Sequence, residues 1–157
     1  MIVRTAEPAE LTEVGELRVA AYHAGHFLDA FPAYADRLRA LGEDGVVLVA
    51  VDGDQLLGTI MLERWHEASD MATGPEEAEV RALAVAPSAQ GRGVGRALVQ
   101  AVVALGVEWR LERMVLYSQP AMVSAHRLYE KAGFVRTPDR DGEPVPGLTL
   151  LAYAKDL

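Results

Sequence analysis

Hydrophobic positions recur along this chain with two periods, and the changes of period mark its elements. Ile2-Val3-Arg4-Thr5 reads as a short strand. Pro8 suits the first turn of a helix, and Leu11, Val14, Leu17, Val19 and Ala21 then return at near-helical spacing, so a helix is expected over about residues 8–24. Residues 25–33 read as a loop, and Tyr34 to Leu41 as a second short helix ended by Gly42. The β-branched run Val46–Val51, the turn Asp52-Gly53-Asp54 and the return run Gln55–Arg64 predict a hairpin. Residues 66–77 are polar, contain Gly74-Pro75 and read as a loop before a strand over Glu79–Val85. From Val94, positions 94, 97, 98, 101, 102 and 105 are apolar, a clean helical stripe. Met114–Tyr117 reads as a strand, residues 122–132 as a helix stopped by Gly133, and Phe134-Val135 as the start of a strand. Residues 139–147, rich in proline, read as a loop, and Leu148–Ala154 as a final strand.

The resulting order is β-α-α-β-β-β-α-β-α-β-β. It predicts an α/β fold with a mixed sheet of about 6–7 strands and about four helices on its two faces. At 157 residues, without repeats or an interdomain linker, the chain is expected to form one domain over 1–157.

Composition narrows the function. A net charge of −8 argues against nonspecific binding of nucleic acid or an anionic membrane. The charge is unevenly spread. Residues 1–80 hold 5 Lys/Arg and 16 Asp/Glu, while residues 81–157 hold 10 and 7. An acidic first half attracts a cationic acceptor such as an amine, or is simply a solvated surface. No cysteine is present, which excludes disulfides and thiolate chemistry and suits a cytoplasmic location. No signal peptide and no membrane span is expected. Without cysteine or an H-x-x-x-H pair, no metal is expected either.

The candidate chemistry centres on Gln90-Gly91-Arg92-Gly93-Val94-Gly95-Arg96, between an apolar strand and an amphipathic helix. Glycines at every second position allow left-handed backbone angles and close approach of a ligand. The helix start offers free N–H groups and its positive dipole end, and Arg92 and Arg96 add charge. These make a phosphate-binding turn. The spacing fits neither the dinucleotide fingerprint nor the P-loop.

The pattern Gln90-x-x-Gly93-x-Gly95 resembles the acetyl-CoA pyrophosphate loop of the GNAT N-acetyltransferase superfamily. Downstream, Ala125-x-x-Leu128-Tyr129-x-x-x-Gly133-Phe134 resembles the family's A-x-x-L-Y-x-x-x-G-F segment. The resemblance covers about residues 78–135. It implies acetyl-CoA as co-substrate, a primary amine (small molecule or peptide) as acceptor, and direct attack through a ternary complex. It implies coenzyme contacts at Leu83, Ala84 and Val85 in a splayed or bulged strand, at Gln90, Gly91, Arg92, Gly93, Val94, Gly95 and Arg96 in the turn, and at Ala125 and Tyr129. It implies Glu79 as the base, with Glu76 and Glu77 beside it as alternatives, and Tyr129 as the acid for the leaving thiolate. Tyr22, His26 and Phe27 fall where the family's acceptor pocket commonly lies, close to Phe31 and Tyr34. Met122 stands where the family often has an asparagine for the pantetheine arm, which passes that task to backbone groups, Ser118, Gln119 or Ser124. A non-catalytic acyl-CoA-binding module is the alternative reading. An edge strand near the C-terminus offers a surface for a homodimer.

Overall fold

The computed structural model describes all residues, 1–157. Its elements are β1 (Ile2–Thr5), α1 (Leu11–Ala24), α2 (Tyr34–Ala40), β2 (Gly45–Asp52), β3 (Gln55–Arg64), β4 (Glu77–Val85), α3 (Val94–Glu108), β5 (Arg113–Ser118), α4 (Val123–Lys131), β6 (Val135–Arg136), β7 (Gly142–Val145) and β8 (Leu148–Asp156). The eight strands form one mixed sheet in the order β1-β2-β3-β4-β5-β8-β6, with β7 paired to β8. All neighbours are antiparallel except β4 and β5.

The alternation in β2 divides the core. Leu48 and Ala50 face the α3 and α4 side, with Ile60, Leu62, Leu98 and Val102. Val47, Val49 and Val51 face the opposite side, where Val14 and Leu17 of α1 cover them. Successive strand residues point to opposite faces, so a continuously apolar strand is the signature of a sheet covered on both sides. No helix is long and apolar enough to cross a membrane.

Two segments expected as loop contribute to strands. β4 begins at Glu77, inside the expected loop, because the Glu77 carboxylate is held at the sheet's end. Arg140 reaches it at 2.9 and 3.0 Å, Arg113 at 3.3 Å, and Thr73 through both its N–H and its hydroxyl. The expected loop 139–147 contains strand β7. Its prolines are tolerated because β7 is an edge strand, paired only through Gly142 to Leu150 and Val145 to Leu148, so Pro144 leaves no ladder bond unmade.

Candidate functional site

Two irregularities at the sheet's centre create the site. β4 and β5 pair only from Glu77–Val80 against Arg113–Leu116. Beyond that they diverge, although β4 runs on to Val85 and β5 to Ser118. On its other edge β4 slips register against β3, with Thr59 opposite Ala84 and Met61 opposite Arg81. Ala82 and Leu83 therefore bulge, and Ala82 takes a left-handed φ of 53°. Such a conformation costs a residue with a Cβ about 1–3 kcal/mol. Burial of Ala82 against Leu28 and Leu38 holds it there. The β5-facing edge of Leu83–Val85 is left without a strand partner.

A cleft of about 430 Å³ occupies the gap. Leu83, Ala84, Val85 and Gln90 line one side, and Met122, Ser124, Ala125 and Leu128 the other. At its mouth the turn leads into α3. Gly91 and Gly93 have φ of 76° and 78°, and a Cβ added to either would meet nothing within 4 Å. Gly95 departs from the expectation for a left-handed glycine. It is helical and buried, and its Cβ would stand 2.8 Å from Leu128 Cδ1, so its task is to let α3 and α4 approach. None of the backbone N–H groups from Gly91 to Arg96 donates to another group of the protein. The Gln90 amide donates to the Val85 carbonyl at 3.2 Å and fixes the turn to the strand's end. Arg96 is exposed, and Arg92 lies 3.5 Å from Asp52.

A second cavity, of about 500 Å³, adjoins the first and shares Tyr22 and Met122 with it. Glu79 lines this cavity although it is only 4% exposed. Its Oε1 has no hydrogen-bond partner, and its Oε2 is 3.6 Å from Arg81 Nε, too long for a hydrogen bond. Burial pushes the Glu79 carboxyl up to about 7; Arg81 opposes this, while Glu63 and Asp70 add to it. Arg81 cannot neutralise Glu79 fully because it also serves Glu63 at 3.2 Å and Asp70 at 3.5 Å. Asp70 in turn binds Arg37 at 2.6 Å, and Glu63 contacts His66 at 3.2 Å. Arg18, on the buried face of α1, donates through Nη1 to the carbonyls of Leu38 and Leu41, while its Nε and Nη2 have no acceptor. Burial lowers its pKa to about 10.

The remaining expected residues divide. Tyr22 lines both cavities and meets Phe27 edge-on at 6.1 Å; Phe27 lines the first cavity, and Phe31 and Tyr34 line the second. His26 does not join them. It takes a φ of 63° just after α1, which turns it outward, 81% exposed and paired with Asp29. Tyr129 is buried against Phe134 and Tyr153 and lines neither cavity, although its neighbours Ala125 and Leu128 do. Burial pushes its phenol up. Of the substitutes for the missing asparagine, Ser118 and Gln119 are engaged elsewhere. His126 Nε2 lies 2.9 Å from Ser118 Oγ and 3.1 Å from the Gln119 carbonyl, and the Gln119 amide donates to the Phe27 carbonyl at 2.9 Å. Ser124 faces the cleft. No group of three or more His, Cys, Asp or Glu side chains is placed to hold a metal. Arg18, Arg37, Glu63, Asp70, Arg81 and Tyr117 belong to the site or its support but escaped the sequence reading.

A parallel strand pair opens onto a glycine-led helix start, with a carboxylate buried further in, within a mixed α/β sheet. The sequence matches the model of the acetyltransferase (GNAT) family over residues 11–134, and the chain belongs to that family. Among curated relatives, a mycothiol acetyltransferase of Cellulomonas flavigena is 35% identical over 116 residues, 68% of this chain and 33% of its own length. One of Geodermatophilus obscurus is 39% identical over 92 residues, 56% of this chain and 28% of its own. The chain thus spans about a third or less of the curated relatives it matches. Among solved structures, the GNAT domain of S. lividans PAT superposes with a TM-score of 0.74 at 22% identity, covering 99% of this chain and 89% of that one. A Salmonella typhimurium protein solved with its cofactor acetyl-CoA gives 0.70 at 21%, covering 99% and 93%.

Proposed function

We propose that this chain moves an acetyl group from acetyl-CoA to a primary amine by direct attack, with both ligands in one continuous cleft. One observation carries the reading. The cleft that reaches Gln90, next to the unbonded amides of Gly91–Arg96, adjoins at Tyr22 and Met122 the cavity that holds Glu79. The relatives' names support acetyl transfer as the reaction.

The chain's groups fit the donor. Free N–H groups at a helix start, with open space above Gly91 and Gly93, suit a diphosphate. The unpaired edge of Leu83–Val85 suits an extended amide-bearing arm, and an N–H there can receive the charge that develops on the thioester oxygen. Glu79 takes a proton from the incoming ammonium, for which a carboxyl titrating at about 7 is well matched. The amine nitrogen then bonds to the carbonyl carbon, its second excess proton passes to solvent water, and the carbon–sulfur bond breaks. The departing thiolate takes a proton from the Tyr129 phenol, which burial keeps protonated. Both residues recover their starting states by exchange with solvent. A cytoplasmic location, and a homodimer paired along the C-terminal edge, belong to the same proposal.

The first experiment is calorimetric titration with acetyl-CoA, followed by free-thiol release across an amine panel. Micromolar binding and turnover support the reading. Binding without turnover on any amine favours a non-catalytic acyl-CoA module. Absence of binding removes the assignment.

A further inference from the structure

Arg37 of α2 and Arg81 of β4 line one wall of the larger cavity, and a third arginine, Arg18 of α1, is buried outside that lining. Arg18 is 1% exposed with two nitrogens unpaired. The groups that act on its charge are Tyr22, Tyr34 and Arg81, with no carboxylate among them. An unpaired buried cation is costly to keep, and a negative ligand group nearby offsets that cost. Arg37 and Arg81 open onto the cavity and share one carboxylate, Asp70, at 2.6 and 3.5 Å. Asp70 sits on the loop between β3 and β4 with its side chain 46% exposed, so it is free to swing away. Arg81 Nε lies 3.6 Å from Glu79 Oε2, beyond hydrogen-bond distance, and the other oxygen of that carboxyl, Oε1, is unpartnered. The other carboxylates are spoken for. Glu63 lies between Arg81 and His66, and Glu143, on the opposite wall, accepts from the Gly147 N–H.

An open donor and an open acceptor side by side recognise a molecule that carries the complementary pair on neighbouring atoms. A plain alkyl or aryl amine meets Glu79 but leaves Arg37 and Arg81 as they are. A polyamine meets the carboxylates of the lining but likewise offers nothing to Arg37 and Arg81. An amino acid satisfies both halves, because its amine faces Glu79 while its carboxylate makes the forked contacts that arginine favours.

We propose that the acceptor is an amine bearing a carboxylate, of the amino-acid type, whose carboxylate takes the place of Asp70 between Arg37 and Arg81. This rests on the acetyl-transfer reading. The test measures thiol release from acetyl-CoA with standard L-amino acids, their carboxamides and the corresponding decarboxylated amines. At least one amino acid is expected to exceed its amide and its decarboxylated amine by about tenfold or more in kcat/KM, the difference one retained charged contact makes. Arg37→Gln, at a half-exposed side chain, should raise KM for that amino acid by about the same factor and leave the amide's KM within about twofold. Asp70→Asn should lower KM for the amino acid. Amides or decarboxylated amines used equally well overturn the proposal, as does an Arg37→Gln effect equal on all three sets. Acetyl-CoA binding with turnover only of carboxylate-free amines, or of none of the three sets, overturns it while leaving donor binding intact. Failure to bind acetyl-CoA overturns the acetyl-transfer reading itself.

Discussion

Replacing Glu79 by glutamine keeps the side chain's size and removes its charge and basicity, so its effects on rate and on stability can be calculated together. In the folded protein the carboxyl titrates at about 7, against 4.5 for the free group. It is then about one-tenth ionised near pH 6 and about nine-tenths near pH 8, and wild-type kcat/KM should rise about tenfold between them. In the variant the rate should be lower by about 10²–10⁴ at high pH, and the rising limb should vanish. Stability moves the other way. A raised carboxyl pKa favours the protonated folded state, so its contribution is complete below 4.5 and lost as pH rises through 7. Between roughly pH 5 and pH 8 the loss amounts to about 2.5 kcal/mol. Glutamine does not titrate, so the stability of the variant relative to wild type should improve by that amount over the same interval, about 5–10 °C in Tm. Paired thermal melts and thiol-release rates across the interval measure both quantities. A stability gap that does not change with pH refutes the buried carboxyl. A gap that grows while the variant keeps the wild-type rate profile refutes Glu79 as the base.

The remaining predictions address other parts of the site. Gly93→Val should fold with a loss of about 1–3 kcal/mol from its left-handed backbone and should lose acetyl-CoA binding by calorimetry; unchanged affinity would remove the turn's role. Gly95→Val should lower Tm through its collision with Leu128, at a cost of about 1–3 kcal/mol. Tyr129→Phe should lower kcat by about 10² or more with little change in KM for acetyl-CoA, and a wild-type kcat would remove the phenol as proton source. Burial raises the Glu77 carboxyl, but bonds from Arg140 and Thr73 outweigh it and hold the pKa at about 2. The stability Glu77 provides is present above 4.5 and lost as pH falls towards 2, and Glu77→Ala, which leaves Arg140 with the Met71 carbonyl and solvent, should cost about 1.5–3 kcal/mol by denaturant titration.

What could be read from the sequence was local. The stripe from Val94 and the left-handed glycines 91 and 93 depend on neighbours a few residues away, and their geometry matches the expectation. Gly95 misled because a glycine gives the same sequence signal whether it relieves a dihedral angle or a contact, and its contact is with Leu128 on another helix. Arg81 and Glu63 lie 18 residues apart and meet only through the pairing of β3 with β4, so no spacing announces them. Arg18 sits among the apolar positions of α1 where periodicity alone expects a hydrophobe. His26 shared the aromatic cluster's sequence neighbourhood, yet its positive φ turns it out to solvent beside Asp29.

The β7–β8 hairpin divides responsibilities within the molecule. Gly142, Glu143, Pro144, Leu148 and Leu150 close one wall of the larger cavity, and all lie beyond the segment, 11–134, that matches the family model. The donor cleft lies wholly inside that segment. The anchored end of β8, Leu151–Asp156, is fixed by its pairing with β5 and by Tyr153 against Tyr129, whereas β7 and the turn into β8 touch the cavity from an edge. Under the proposed function, exchanging residues 142–150 between relatives is the part of the hairpin swap that alters the acceptor wall and leaves the sheet intact.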